Sequence, residues 1–201
     1  MKVGIDIDEI ITEFAKGYLK LFNKKYNKNV EFEDLFTYSL WKPLGISRKD
    51  SLELAEEYYS SDSFDNIKLV QGAEEGVKKL KENHELVFIT SRPAPVREKT
   101  EISLRRFFPE LNLEIIYSSN SYAETNGKTK GDICNELEID LMIEDDLEHA
   151  LDCAEKGIKV ILLDKPWNQR VSHENLFRIK NWDEILDKIN ELNKIEVKND
   201  Q

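Results

Sequence analysis

Only two cysteines occur in the 201 residues, Cys134 and Cys153, and each lies in a helix-patterned stretch among apolar neighbours. That argues against a disulfide-stapled scaffold or a thiolate metal centre, and reads as two reduced core thiols in a cytoplasmic protein. Histidine is almost as scarce. His84, His149 and His173 share no metal-ligand spacing and form no HExxH, so zinc or triad chemistry built on histidine has little support. No apolar run is long enough to span a bilayer, and the N-terminus enters strand-like sequence without a signal-peptide pattern, so no membrane partner is expected. Positive charge is also short: 29 Lys and Arg stand against 40 Asp and Glu, a net charge of −11. Repulsion of that kind disfavours a nucleic-acid polymer, whose binding rests largely on neutralised phosphates. A small anionic ligand is still admitted, because a metal ion in a pocket inverts the local field.

What is present is enough apolar sequence for one domain, or one domain with a small insertion: 40% hydrophobic residues in 23.5 kDa. Five runs have strand character: residues 2–8, 85–91, 111–118, 140–145 and 158–164. Most are continuous Val, Ile, Leu and Phe, as in parallel strands covered on both faces. Helical patterns at 73–83, 94–107, 130–138, 147–156 and 182–194 separate or follow them, and the tail from 193 reads as frayed. The alternation predicts an α/β fold, a doubly wound parallel sheet of five central strands with right-handed crossovers. Its core would comprise residues 1–11 and 72–201. Residues 12–71 hold more than one crossover helix, with helical patterns at 13–26 and at 47–64, the latter capped by Ser47. This segment is expected to form a small helical cap over the carboxyl edge of the sheet.

Ligands of open parallel sheets bind outside the carboxyl ends of the strands. The first strand ends in Asp6 and Asp8, which alternation places on one side. The second ends in Thr90, Ser91 and Arg92, and the fourth in Glu144, Asp145 and Asp146. The turn GKTKGD sets Lys128 and Lys130 at a helix start just before that fourth strand. Each feature alone is an ordinary turn, helix cap or solvated lysine. Their joint order at strand ends is what argues for a site. Clustered carboxylates without His or Cys suit Mg²⁺, which removes the repulsion between like charges and offers positions to phosphate oxygens. A carboxylate can attack phosphorus to give an aspartyl-phosphate, a second one can act as acid and base, and Thr90 with Lys130 can donate to the phosphoryl oxygens.

DIDEI, FITS, Lys130 and IEDD in this order resemble the four motifs of the haloacid dehalogenase-like (HAD) phosphohydrolases, over roughly residues 2–165. The resemblance implies a Rossmann-like HAD core with the cap as its insertion. It implies Asp6 as nucleophile and metal ligand, Asp8 as general acid and base that also lends its backbone carbonyl to Mg²⁺, and Asp145 as a further metal ligand. Lys130, 15 residues before Asp145, takes the phosphate-binding role, with Lys128 in reserve. Glu144 replaces the aspartate often found before the metal acid, and Glu9 and Ile10 stand where many members have Gly and Thr. DIDEII, ITSRP and LLDKPWNQ together resemble the 5'(3')-deoxyribonucleotidases and their bacterial relatives. That family implies hydrolysis of a nucleoside monophosphate, with Thr90, Ser91, Arg92, Lys130 and Trp41 as substrate-binding residues. Aromatics of the cap are candidates for the base: Phe14, Tyr18, Phe36, Tyr38 and Trp41.

Other readings stay open at this level. A HAD phosphatase or mutase for a sugar phosphate shares the first motif. A receiver domain uses an acidic Mg²⁺ pocket with a hydroxyl and a lysine, but in a different order along the chain. The partner in the preferred reading is a small-molecule phosphate ester. Oligomeric state is open, with a homodimer among the options.

Overall fold

A computed structural model of the chain describes residues 1–119, 127–169 and 171–199, with side chains to residue 194 in the last segment. The apolar runs become β1 (Lys2–Ile5), β2 (Glu85–Thr90), β3 (Ile115–Tyr117), β4 (Leu141–Glu144) and β5 (Lys159–Leu163), joined by β6 (Leu176–Ile179). Every pairing is parallel and the order is β3-β2-β1-β4-β5-β6. The sheet thus has six strands where the sequence announced five. β6 escapes detection because it is a half-buried edge strand of four residues with Arg178 in the middle, so it carries no continuous apolar run.

From β1 the chain builds one wing through β2 and β3, then crosses back to build the other from β4 outward. β1 and β4 are therefore neighbours whose following loops diverge, which opens a crevice at their carboxyl ends. Alternation along the strands separates two cores. Val3, Ile5, Phe88 and Ile143 face one side; Val87, Ile89, Met142 and Val160 face the other. The two cysteines are free and buried, as expected.

Between β1 and β2 the chain forms α1 (Phe14–Tyr26), α2 (Trp41–Leu44), α3 (Arg48–Tyr59) and α4 (Asp62–Asp65). Ser47 caps α3 by accepting the Asp50 N–H. The single helix expected at 47–64 is broken in two, because Ser61 turns out of the first helix and caps α4 through the Phe64 N–H. Phe14, Tyr18, Phe22, Leu54, Tyr58 and Phe64 give this segment its own apolar cluster. Its entry and exit run side by side, with Glu13 N–H donating to Lys68 O and Val70 N–H to Ile11 O, both at 2.9 Å. Flanking the sheet are α5 (Ala73–Lys81), α6 (Arg97–Phe107), α7 (Lys130–Glu136), α8 (Leu147–Glu155) and α9 (Trp182–Asn199). The frayed tail is corrected for residues 193–199, which continue α9; residues 200 and 201 lie outside the described residues. Among the described residues no helix is long and apolar enough to cross a membrane.

Candidate active site

Asp6 follows β1 directly, and its N–H still donates to Ile143 O at 3.0 Å, so the ladder with β4 fixes where its side chain emerges. Across the crevice Glu144 closes β4 and Asp145 follows it. One carboxylate oxygen from each of Asp6, Glu144 and Asp145 falls within 4.8 Å of the others, and all three residues are buried. The only cation hydrogen-bonded among them in the described residues is Lys130, in the first turn of α7, 2.6 Å from Asp6 and 2.7 Å from Glu144. Lys128, by contrast, is exposed and paired with Glu136 at 2.6 Å.

Three buried acids facing one lysine are short of positive charge. Burial, then the Glu144 charge, pushes the Asp6 carboxyl up to about 8, against the pull of Lys130. Asp145 is held well above its ordinary range by burial and by Glu144 and Asp6. Glu144 is raised by burial despite Lys130, and its Oε1 accepts the N–H groups of Asp145 (3.2 Å) and Asp146 (3.0 Å). An all-oxygen donor set in excess of its counter-charge is what a hard divalent cation stabilises. The residues fit such an ion. Asp146 serves the helix instead, its Oδ1 accepting the N–H of Glu148 and His149 at the start of α8.

Asp8 stands apart from that cluster. Arg92 Nε lies 3.2 and 3.0 Å from its two oxygens and Nη2 lies 2.6 Å from Oδ1. Two further N–H groups of Arg92 donate to Thr100 (3.1 Å) and Thr12 (3.0 Å), and the guanidinium lies over the Phe64 ring. The structure thus pairs Arg92 with Asp8 at the wall of the cavity that both residues line. Thr90 is buried, and its Oγ1 accepts the Arg92 N–H at 3.2 Å, which leaves the hydroxyl proton for another acceptor.

Ser91 belongs to a chain of polar groups that the sequence did not suggest. Its Oγ is 2.7 Å from Ser118 Oγ and 3.3 Å from His149 Nε2, and Ser118 Oγ donates to Thr90 O at 3.3 Å. Each hydroxyl of this chain can donate or accept, and the imidazole closes it at Ser91. A neutral imidazole suits this role. Burial, then Lys130, lowers the His149 pKa to about 4. Its position in the first turn after the fourth-strand acids was the available signal.

The PWN element settles on the same floor. Trp167 Nε1 donates to Asp145 Oδ2 at 3.0 Å, and Asn168 Nδ2 donates to Asp145 O and Leu163 O, both at 2.8 Å. Glu9 is buried at a left-handed φ of 61°; its carboxylate accepts the Ala15 N–H at 2.6 Å and pairs with Lys165 at 3.4 Å. Above the floor rises a cavity of about 520 Å³, lined by residues at the strand ends and by the helices between β1 and β2. Phe14, Tyr18, Tyr38 and Trp41 all line it, as does Tyr59, which the sequence reading passed over. Phe36 does not; it is 66% exposed.

The fold has precedents among solved structures. A haloacid dehalogenase-like hydrolase of Streptococcus pneumoniae superposes with a TM-score of 0.65 over 94% of this chain and 97% of its own, at 11% identity. A HAD family hydrolase of Deinococcus radiodurans, solved with bound phosphate and sodium, superposes with the same score of 0.65 at 13% identity, covering 94% and 95% of the two chains. These likenesses give the fold, which is that of the HAD-like proteins.

Within that class the assignment narrows. Residues 1–195 match the model of the "5' nucleotidase, deoxy (Pyrimidine), cytosolic type C protein" family, and the chain belongs to it. A nucleotidase of Clostridium acetobutylicum is 30% identical over 186 residues, which is 92% of this chain and 91% of the other. The protein is accordingly a phosphoric monoester hydrolase.

Proposed function

We propose that this enzyme hydrolyses (deoxy)nucleoside 5'-monophosphates in a Mg²⁺-dependent reaction that passes through an aspartyl-phosphate on Asp6. The observation that carries the reading is the convergence of Asp6, Glu144, Asp145 and Lys130 at the floor of a cavity walled by aromatic residues of the cap.

The carboxylates of Asp6 and Asp145 and the backbone carbonyl of Asp8 would hold Mg²⁺, with Glu144 beside them holding Lys130. When bound, the ion supplies a positive centre for the phosphoryl oxygens. Lys130 and the Thr90 hydroxyl donate to the same oxygens, in a buried setting where such contacts are strong. A carboxylate oxygen of Asp6 forms a bond to phosphorus as the bond to the ester oxygen breaks. The departing alkoxide takes a proton by way of Asp8, the proposed acid and base, and leaves as the nucleoside. Asp8 then takes a proton from water as that water attacks phosphorus, and the bond to Asp6 breaks to release inorganic phosphate. Arg92 keeps the Asp8 side chain in place. The cavity is of the size that encloses a small organic ligand, and Phe14, Tyr18, Tyr38 and Trp41 offer apolar faces to a base.

The test is a panel of nucleoside monophosphates and sugar phosphates, assayed for phosphate release with and without EDTA. At least one nucleoside monophosphate is expected to exceed every sugar phosphate in kcat/KM by about tenfold or more, equivalent to roughly 1.4 kcal/mol. Activity that survives chelation, or an Asp6→Asn protein as active as the parent, contradicts the mechanism; a preference for sugar phosphates contradicts the substrate.

A further inference from the structure

Trp167 is part of the core by sequence and part of the cap by packing. It sits in the apolar cluster of the cap, 6% exposed, with Phe32 at 5.3 Å and Tyr38 at 5.5 Å between ring centroids. Phe32 lies in the short turn Phe32–Asp34 between α1 and α2. The indole N–H of the same side chain donates to Asp145 at 3.0 Å. One residue further on, Asn168 is tied down by the core: it donates to Asp145 O and Leu163 O and accepts from Arg178. One residue before the PWN turn, Lys165 pairs with Glu9, whose carboxylate receives the Ala15 N–H at the start of α1.

The segment 165–168 therefore touches the cap at two points and the acidic floor at two points. A shift of Phe32 and Tyr38 moves the surface against which the indole rests, and the indole is hydrogen-bonded to one of the three clustered carboxylates. Donors to a metal-binding carboxylate orient it, and losing one costs 10- to 100-fold in metal affinity. Any dependence of metal binding on cap seating is reciprocal, so metal binding also favours the seated cap.

We propose that Trp167 is a positioning residue through which the cap sets the Asp145 carboxylate, so that metal affinity depends on how the cap is seated. This rests on the metal site proposed above. An alternative role, covering the sheet edge, needs the ring but not its N–H.

The experiment is calorimetric titration of substrate-free protein with MgCl₂. Four proteins are compared: the parent, Trp167→Phe, a form in which the Trp167 side chain is replaced by benzothienylalanine, and Phe32→Leu. Benzothienylalanine keeps the bicyclic outline and puts sulfur in place of the N–H, so it isolates the hydrogen bond even if Trp167→Phe folds poorly. Kd for Mg²⁺ is expected to rise about tenfold or more on losing the N–H. It is expected to rise several-fold in Phe32→Leu, which touches no carboxylate. Parental affinity in the benzothienyl protein overturns the positioning role, and parental affinity in Phe32→Leu overturns the link to the cap. A parent that binds no Mg²⁺ removes the metal site itself, an outcome distinct from both.

Discussion

The Arg92 guanidinium closes on the Asp8 carboxylate across 84 positions of sequence, with Nε 3.0 Å from Oδ2 and Nη2 2.6 Å from Oδ1. The arginine side chain is only 1% exposed and the aspartate 13%, so this is a buried forked pair rather than a surface contact. Lysine cannot reproduce the fork. Arg92→Lys is expected to lower kcat about tenfold or more while KM moves little, because the affected group is the proposed acid and base and not a phosphate donor. Arg92→Ala removes the partner of a buried charge and is expected to cost about 3 kcal/mol in urea unfolding. A rise in KM with kcat unchanged would instead make Arg92 a substrate ligand.

His149 predicts a pH dependence of stability with a definite sign. Its neighbours are Lys130, which disfavours the imidazolium, and Asp146 and Asp152, which favour it; burial and Lys130 together outweigh the two aspartates and hold the folded pKa at about 4 against 6.5 for the free side chain. The unfolded chain thus binds the proton first as pH falls. The contribution of this residue is complete above about 6.5 and is lost as pH drops toward about 4. The raised acids have the opposite slope, so the histidine is read as a difference. In EDTA, the parent should lose about 1–2 kcal/mol more than His149→Gln between pH 7 and pH 5. Parallel stability curves for the two proteins would contradict the assignment.

The main lines of this fold were legible because its strands are buried on both faces. Apolar runs located β1 to β5, and the ends of β1, β2 and β4 carried most of the candidate residues. β6 was invisible because an edge strand needs no apolar run, and the break between α3 and α4 because a single serine cap sits inside an otherwise helical pattern. Within the site, alternation placed Asp6 and Asp8 on one side, yet their carboxylates go to different partners: Lys130 for one, Arg92 for the other. That division depends on contacts across 84 and 124 positions, which no local pattern encodes. Glu9 is the same kind of case. A glutamate at a position of positive φ looks unfavourable in isolation, and is retained here by a helix N–H and a lysine that arrive from elsewhere in the chain.

Two glycines separate the cap's contribution from that of the core. A Cβ on Gly17 in α1 would lie 1.9 Å from the Tyr58 hydroxyl and 2.5 Å from its ring. Tyr58 is 1% exposed and wedged against Phe14 and Phe64, so it has little room to retreat. A Cβ on Gly76 in α5 would lie 2.2 Å from the ring of Trp182, beneath the sheet and away from the cavity. Overpacking of this kind costs about 1–3 kcal/mol, set against roughly 1 kcal/mol regained from helix propensity. Both Gly17→Ala and Gly76→Ala are therefore expected to lower the melting temperature. Only Gly17→Ala should also raise KM for a nucleoside monophosphate several-fold, because displacing Tyr58 pushes on Phe14, a wall of the cavity. If KM rises equally in both, or in neither, the cap aromatics do not form the substrate's walls.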